Sequence, residues 1–160
     1  MRTAISRRIS EITFLPYGFL LERPKTGARE NFVADVTNGR ASAKANLALV
    51  NAQPTECPFT ARMLERHSFS TQAFFPLGVQ RYLVVVCGTD AQGDPDLDRL
   101  SAFECTGYQA ISYAVGTWHM GIQTLDAPGV FAMLVHENNS TADCEFREVD
   151  PFEVRIGGGR

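Results

Sequence analysis

The stretch Arg81-Tyr82-Leu83-Val84-Val85-Val86-Cys87 limits the fold more than any other. Its β-branched and aromatic residues favour an extended backbone. Its near-continuous apolar run leaves no face for water, so such a strand needs protein on both sides. The rest of the chain supplies strands to cover it and little helix. Ala45–Asn51, Ala61–Leu64, Gln72–Pro76, Ser101–Cys105, Ala110–Val115, Val130–Val135 and Val149–Ile156 read as strands, the run at 130–135 as another buried one. Ile9–Phe14 and Phe19–Leu21 give weaker strand signals. Turns are signalled at Pro16-Tyr17-Gly18, Gly78, Gly107, Gly116 and Asp126-Ala127-Pro128-Gly129, and Thr37-Asn38-Gly39-Arg40 carries the Asn-Gly hairpin dipeptide. Arg23–Glu30, Gly88–Gly93 and Glu137–Asp143 read as loops. A helix of two turns at most is expected at 94–100, where Asp94 offers a cap, Pro95 the first helical position and Asp96 an acid in the first turn. The pattern predicts an all-β sandwich or barrel with one or two short helices.

The 160 residues suit one domain (1–160, core about 10–156) with a sizeable core; no linker or internal repeat divides them. A net charge of -3 gives no electrostatic footprint for nucleic acid or an anionic membrane, although a pocket can still be locally positive for a small anion. No stretch is long and apolar enough to span a bilayer. Cys57, Cys87, Cys105 and Cys144 form no CxxC pair and match no zinc knuckle. Arg2, Arg7 and Arg8 are followed by no apolar core of signal-peptide length before Glu11. Reduced core thiols in a cytoplasmic protein are therefore expected. Gly157–Arg160 reads as a frayed tail.

Proton-active side chains concentrate in Leu64–Pro76. Glu65 and His67 stand at i, i+2 and share one face of an extended strand, with Arg66 on the other. Gln72 can rejoin that face if the chain turns through Ser68–Ser70. His119 closes Gly116-Thr117-Trp118-His119, just after a strand. His136 ends the run at 131–135 and reads as a strand-end residue.

Glu65-x-His67, four residues, Gln72 and then Gly78 resembles the first motif of the cupin superfamily, and Gly116-x-x-His119 resembles the second. At a finer level the chain resembles the ureidoglycolate lyase family, which carries the cupin fold. The resemblance rests on Pro16-Tyr17-Gly18 with Glu22, Asn51-Ala52-Gln53-Pro54, and Leu64-Glu65-Arg66-His67 with Ser70-Thr71-Gln72-Ala73-Phe74 and Pro76. Val84-Val85-Val86, Pro95-Asp96-Leu97, Ala102-Phe103, Tyr113, Trp118-His119 and Asp143-Cys144 extend it from about residue 10 to residue 155.

The resemblance implies a cupin-like β-barrel or jelly roll. It also implies a cytoplasmic homodimer that cleaves ureidoglycolate, a small anion, to glyoxylate and urea in allantoin breakdown, as a carbon–nitrogen lyase of the amidine-lyase type. His67, His119 and Glu65 would be catalytic, and Gln72, Tyr113 and Trp118 would contact substrate, Trp118 as a wall of the pocket. A divalent metal, nickel or similar, would be held by Glu65, His67, Gln72 and His119. The residue types suit the chemistry, because collapse of a carbinolamine needs a base for the hydroxyl proton and an acid for the departing nitrogen. Ala114 and Met120 stand where family members often carry histidine. Ala114 is expected to face away from Tyr113, and Met120 to flank His119. These departures leave open a cupin that acts on, or only binds, another small hydroxy or ureido acid.

Overall fold

The computed structural model describes residues 1–32 and 34–158. Twelve strands and one short helix follow in the order β1 Arg2–Arg8, α1 Glu11–Phe14, β2 Gly18–Leu21, β3 Lys44–Ala52, β4 Phe59–Arg66, β5 Gln72–Leu77, β6 Arg81–Thr89, β7 Pro95–Thr106, β8 Ala110–Tyr113, β9 Trp118–His119, β10 Gln123–Thr124, β11 Gly129–Glu137 and β12 Glu145–Arg155. One sheet runs β10-β6-β7-β1-β12-β4-β9, and β9 pairs again with β6. Six strands thereby close into a barrel. The second sheet runs β2-β8-β5-β11-β3. The all-β barrel with a short helix expected from the sequence is the one observed.

β6 shows why its apolar run has no polar face. Leu83, Val85 and Cys87 point into a cluster to which all six barrel strands contribute, with Ala4, Leu64, Ala102, Trp118, Phe152 and Val154 among its members. Tyr82, Val84 and Val86 point outward into a second cluster, shared with Phe74, Ile111, Tyr113 and Phe131 of the facing sheet. The barrel wall thus separates two apolar spaces, its own interior and the layer beneath the second sheet. Edge-to-face aromatic pairs fill the layer, including Phe14–Phe103 at 5.7 Å and Tyr82–Phe131 at 5.1 Å.

Four expectations need correction. The stretch 94–100 is not a helix; it is the first half of β7. Asp90 closes the connection, its side chain accepting from the N–H groups of Gln92 and Asp94. Pro95 opens the strand opposite Thr89, where its missing N–H costs no ladder bond. Cap signals worth about 1 kcal/mol yield to the ladder with β6 and to packing of Leu97 and Leu100 against the barrel interior. The helix lies instead at Glu11–Phe14. Ser10 and Thr13 cap it reciprocally, a box that uses Thr where Glu or Gln gives the stronger sequence signal.

The Asn38-Gly39 dipeptide makes no hairpin. Residues 37–40 cross residues 69–71 instead, with Gly39 N–H donating to Phe69 O at 2.7 Å and Thr37 N–H to Thr71 Oγ1 at 3.0 Å. Gly39 serves close approach, since a Cβ there would stand 3.0 Å from Phe69 O. Finally, β11 is buried on one face only. Phe131 and Val135 are fully covered, and the residues between them half-covered.

β1 and β10 carried no strand signal. β1 lies parallel to both β12 and β7, a pairing set by distant partners rather than by its own pattern. Of the expected tail, Gly157 N–H is tied to Ser6 Oγ, and residues 159 and 160 lie outside the described residues.

Candidate active site

Glu65 on β4 and His119 on β9 are directly opposed partners in an antiparallel pair, so their side chains share a face. His119 also pairs with Val86, whose side chain belongs to the layer between the sheets. Both polar groups therefore project outward from the barrel wall into that layer. Their neighbours go the other way: Leu64 and Trp118 enter the barrel interior, and Arg66 lies over the Trp118 ring at 4.4 Å.

His67 follows the last residue of β4. Its Nδ1 donates to the Asp143 carbonyl at 2.8 Å, and His119 Nδ1 donates to the Thr117 carbonyl at 2.8 Å. A carbonyl only accepts, so each Nδ1 carries a proton, and a ring in its neutral form keeps its lone pair on Nε2. His119 Nε2 is 3.4 Å from Glu65 Oε1, within ion-pair reach but outside hydrogen-bond alignment, and it is buried with no other partner. The two imidazoles lie nearly parallel with centroids 5.9 Å apart, and the Tyr113 ring stacks on His119 at 4.0 Å. One ligand atom each from Glu65, His67 and His119 lies within 4.8 Å of the others.

Burial opposes charge in this group, and the neighbours decide the outcome. Burial would raise the Glu65 carboxyl, but the contact with His119 and the nearby His67 hold it below its ordinary value. Burial lowers the His67 imidazole, and His119 adds to this against the Asp143 carbonyl and Glu65. Burial also pushes the Tyr113 hydroxyl well up. The Cys144 thiol, whose Sγ–H donates to Glu65 Oε2 at 3.8 Å, is pushed up to about 12 by burial and then by Glu65. At neutral pH the site offers a carboxylate, a neutral His67 ring, a phenol and a thiol.

This donor set fits a divalent first-row ion: two imidazole nitrogens and a carboxylate converge, and each ring is oriented by a backbone carbonyl on its far nitrogen. The buried His119 Nε2 without a hydrogen bond is the observation on which the fit rests.

Gln72 is the β5 partner of Tyr113 and points into the same layer. Its Nε2 donates to Met133 Sδ at 3.2 Å, while its Oε1 and the Tyr113 hydroxyl are buried without partners. Unpaired buried polar atoms are rare and cost about 1–3 kcal/mol each, so three beside one another mark a place where a ligand would complete the bonding.

The structure does not bring Trp118 to this group. Its ring is fully buried in the barrel interior and its Nε1–H donates to Gly93 O at 3.1 Å. The alternation of a strand puts it opposite His119. Met120, expected to flank His119, also packs against the barrel core. Ala114 is exposed, opposite Tyr113 as expected. Neither departure from the family pattern thus sits in the group. His136 is the penultimate residue of β11, its N–H bonded to Ser70 Oγ at 2.8 Å. All four cysteines are free; Cys87 and Cys105 are buried, whereas Cys57 and Cys144 are only half-buried.

Asp143, Cys144 and Met133 are contributors that spacing could not reveal. Asp143 acts through a backbone carbonyl, which every residue possesses. A cavity of about 870 Å³ lies elsewhere, on the outer face of the second sheet between Phe19, Phe32, Phe75 and Leu134.

The sequence matches the family profile described as "Ureidoglycolate lyase" over residues 4–156. The ureidoglycolate lyase of Chelativorans sp. (strain BNC1) is 28% identical over 98% of this chain and 98% of its own. That of Pseudomonas entomophila (strain L48) is 30% identical over 91% of this chain and 90% of its own. The ureidoglycolate lyase of Schizosaccharomyces pombe is 32% identical over 66% of this chain and 58% of its own. Among solved structures, the capsular polysaccharide assembling protein CapF from Staphylococcus aureus aligns with a TM-score of 0.44 at 18% identity, over 83% of this chain and 32% of that one. A match spanning nearly the whole sequence, with the motif residues Glu65, His67 and His119 gathered in one buried group, places the chain in the ureidoglycolate lyase family.

Proposed function

We propose that the protein is a ureidoglycolate lyase of the amidine-lyase type, releasing glyoxylate and urea. The observation that carries this is the convergence of Glu65, His67 and His119, with the unpartnered Gln72 and Tyr113 atoms nearby, in a chain of this family. The substrate is a carbinolamine. His67, neutral with its lone pair on Nε2, accepts the hydroxyl proton. The oxygen's electrons form the aldehyde carbonyl and the carbon–nitrogen bond breaks. His119, when protonated on Nε2 beside the Glu65 carboxylate, gives that proton to the leaving nitrogen and urea departs, so one proton is taken up at His67 and one released at His119. Tyr113 Oη and the Gln72 amide bind the carboxylate and ureido groups of the substrate, which supplies the partners those atoms lack. Where the same residues serve as ligands instead of proton carriers, Glu65, His67 and His119 would hold a divalent ion such as nickel, which when bound would polarise a substrate oxygen as a Lewis acid. Gln72, its nitrogen engaged by Met133, is assigned to substrate.

The reading extends to a cytoplasmic homodimer acting on a small anion in allantoin breakdown. No helix among the described residues is long and apolar enough to cross a membrane. Leu47 and Leu49 on β3 are 75% and 73% exposed, an apolar surface that a second copy would cover. Purified protein incubated with ureidoglycolate should release glyoxylate. No turnover, with or without added nickel, overturns the proposal.

A further inference from the structure

One carboxylate and one guanidinium outside the reacting group hold the backbone on which His67 depends. Asp143 presents its carbonyl to His67 Nδ1 at 2.8 Å. Its carboxylate is bound from three directions, by the N–H of Asn138 at 3.0 Å, the N–H of Ser140 at 3.1 Å, and the Arg40 guanidinium. The loop from 138 to 143 is thereby folded around its own aspartate, so the carbonyl cannot swing without breaking these bonds. Cys144, the next residue, places its thiol against Glu65 Oε2. One short segment therefore touches two of the three convergent side chains.

Arg40 ties this loop to the other side of His67. It also donates to Asn138 Oδ1 at 3.2 Å and Ser140 Oγ at 3.4 Å, and its guanidinium lies over the Phe69 ring at 4.9 Å. Phe69 stands two residues after His67. The backbone beside Arg40 is bonded to the same turn, through Gly39 N–H to Phe69 O and Thr71 N–H to Thr37 O. The pair is well shielded, with Arg40 and Asp143 side chains only 14% and 11% exposed. A fork-shaped donor meeting a carboxylate fixes direction as well as distance, which a lysine does less well.

We infer that Arg40 and Asp143 are positioning residues for His67. Their ion pair locks the Asp143 carbonyl against Nδ1, so that the ring holds a single tautomer with Nε2 directed at the substrate. The inference rests on the proposed role of His67 but can be tested without turnover. In full-length protein with ¹⁵N-labelled histidine, wild-type His67 should show one tautomer with the proton on Nδ1, assigned by difference against His67→Gln.

Asp143→Asn and Arg40→Ala should convert that signal to a mixture of tautomers. They should lower kcat about 10- to 100-fold with little change in KM, because a misplaced group costs rate rather than binding. Arg40→Lys should recover part of both. Arg81→Ala, which removes an exposed pair with Asp126, should leave the His67 signal unchanged. If Arg40→Ala fails to fold, Asp143→Asn and Arg40→Lys carry the comparison. An unaltered His67 tautomer in folded Asp143→Asn overturns the inference. An inactive wild-type protein overturns the lyase reading instead and leaves the tautomer test standing.

Discussion

Trp118 and His119 are adjacent in sequence, yet they end in two different spaces. Trp118 enters the barrel interior, where its one polar atom is bonded to Gly93 O and Arg66 lies over its ring. His119 enters the layer under the second sheet, where its Nε2, the Gln72 carbonyl oxygen and the Tyr113 hydroxyl all lack hydrogen bonds. The polar atom of Trp118 is satisfied in the free protein; three polar atoms of the layer, at this end, are not. Apolar packing and polar chemistry are thus separated by the thickness of one strand, and substitutions on its two faces test whether one can be disturbed without the other.

The sharpest way to break that comparison is to exchange its two sides. His119→Ala should lower turnover on the order of 10²-fold or more, because a proton-transfer group is lost, with a smaller loss of stability than Trp118→Ala, since the smaller ring leaves the smaller cavity. Trp118→Ala should do the reverse. It should cost about 3–5 kcal/mol in urea unfolding, with the remaining folded enzyme releasing glyoxylate at close to the normal rate per molecule. Equal loss of rate per folded molecule in both variants would return Trp118 to the site.

Next in size is the cost of the unpaired atoms. Tyr113→Phe removes a buried hydroxyl that has no partner in the free protein. Unfolding free energy should stay level or rise by about 1 kcal/mol, while KM for ureidoglycolate rises. A clear loss of stability would mean that the hydroxyl is already satisfied.

The smallest effect concerns the thiols. Cys87, in the barrel interior, and Cys144, beside Glu65, are both pushed up to about 12, chiefly by burial. Raising a thiol pKa depletes thiolate, so at pH 8 both should react with iodoacetamide far more slowly than a free cysteine. Peptide mapping after timed labelling would show this. Rapid labelling of Cys144 alone would mean that the layer opens where the barrel does not.

How much of this was legible in the sequence follows from the range of the forces involved. β6 could be read because burial on both faces leaves an unbroken apolar run. Glu65 and His67 could be paired because strand alternation is local. The same alternation separates Trp118 from His119, and the family motif hid it by presenting them side by side. The stretch 94–100 misled because its Asp-Pro-Asp start satisfies a helix cap locally, whereas its pairing with β6 is decided across the sheet. Asn38-Gly39 misled in the same way, its hairpin signal giving way to contacts with Phe69 and Thr71, some thirty residues on. Arg40 was silent and Asp143 entered only through the family resemblance, without a role, since a backbone carbonyl and the salt bridge that steadies it leave no spacing to recognise.

The ring of six strands is stitched shut by two residues, since β9 consists of Trp118 and His119 alone and bridges β4 and β6. Any breathing of that seam withdraws the indole from the interior and the imidazole from Glu65 in one motion. The enzyme's activity is therefore a gauge of barrel closure. On slow heating, glyoxylate release should fade before the far-ultraviolet signal of the sheets does, and amide exchange at residues 118 and 119 should report the same opening.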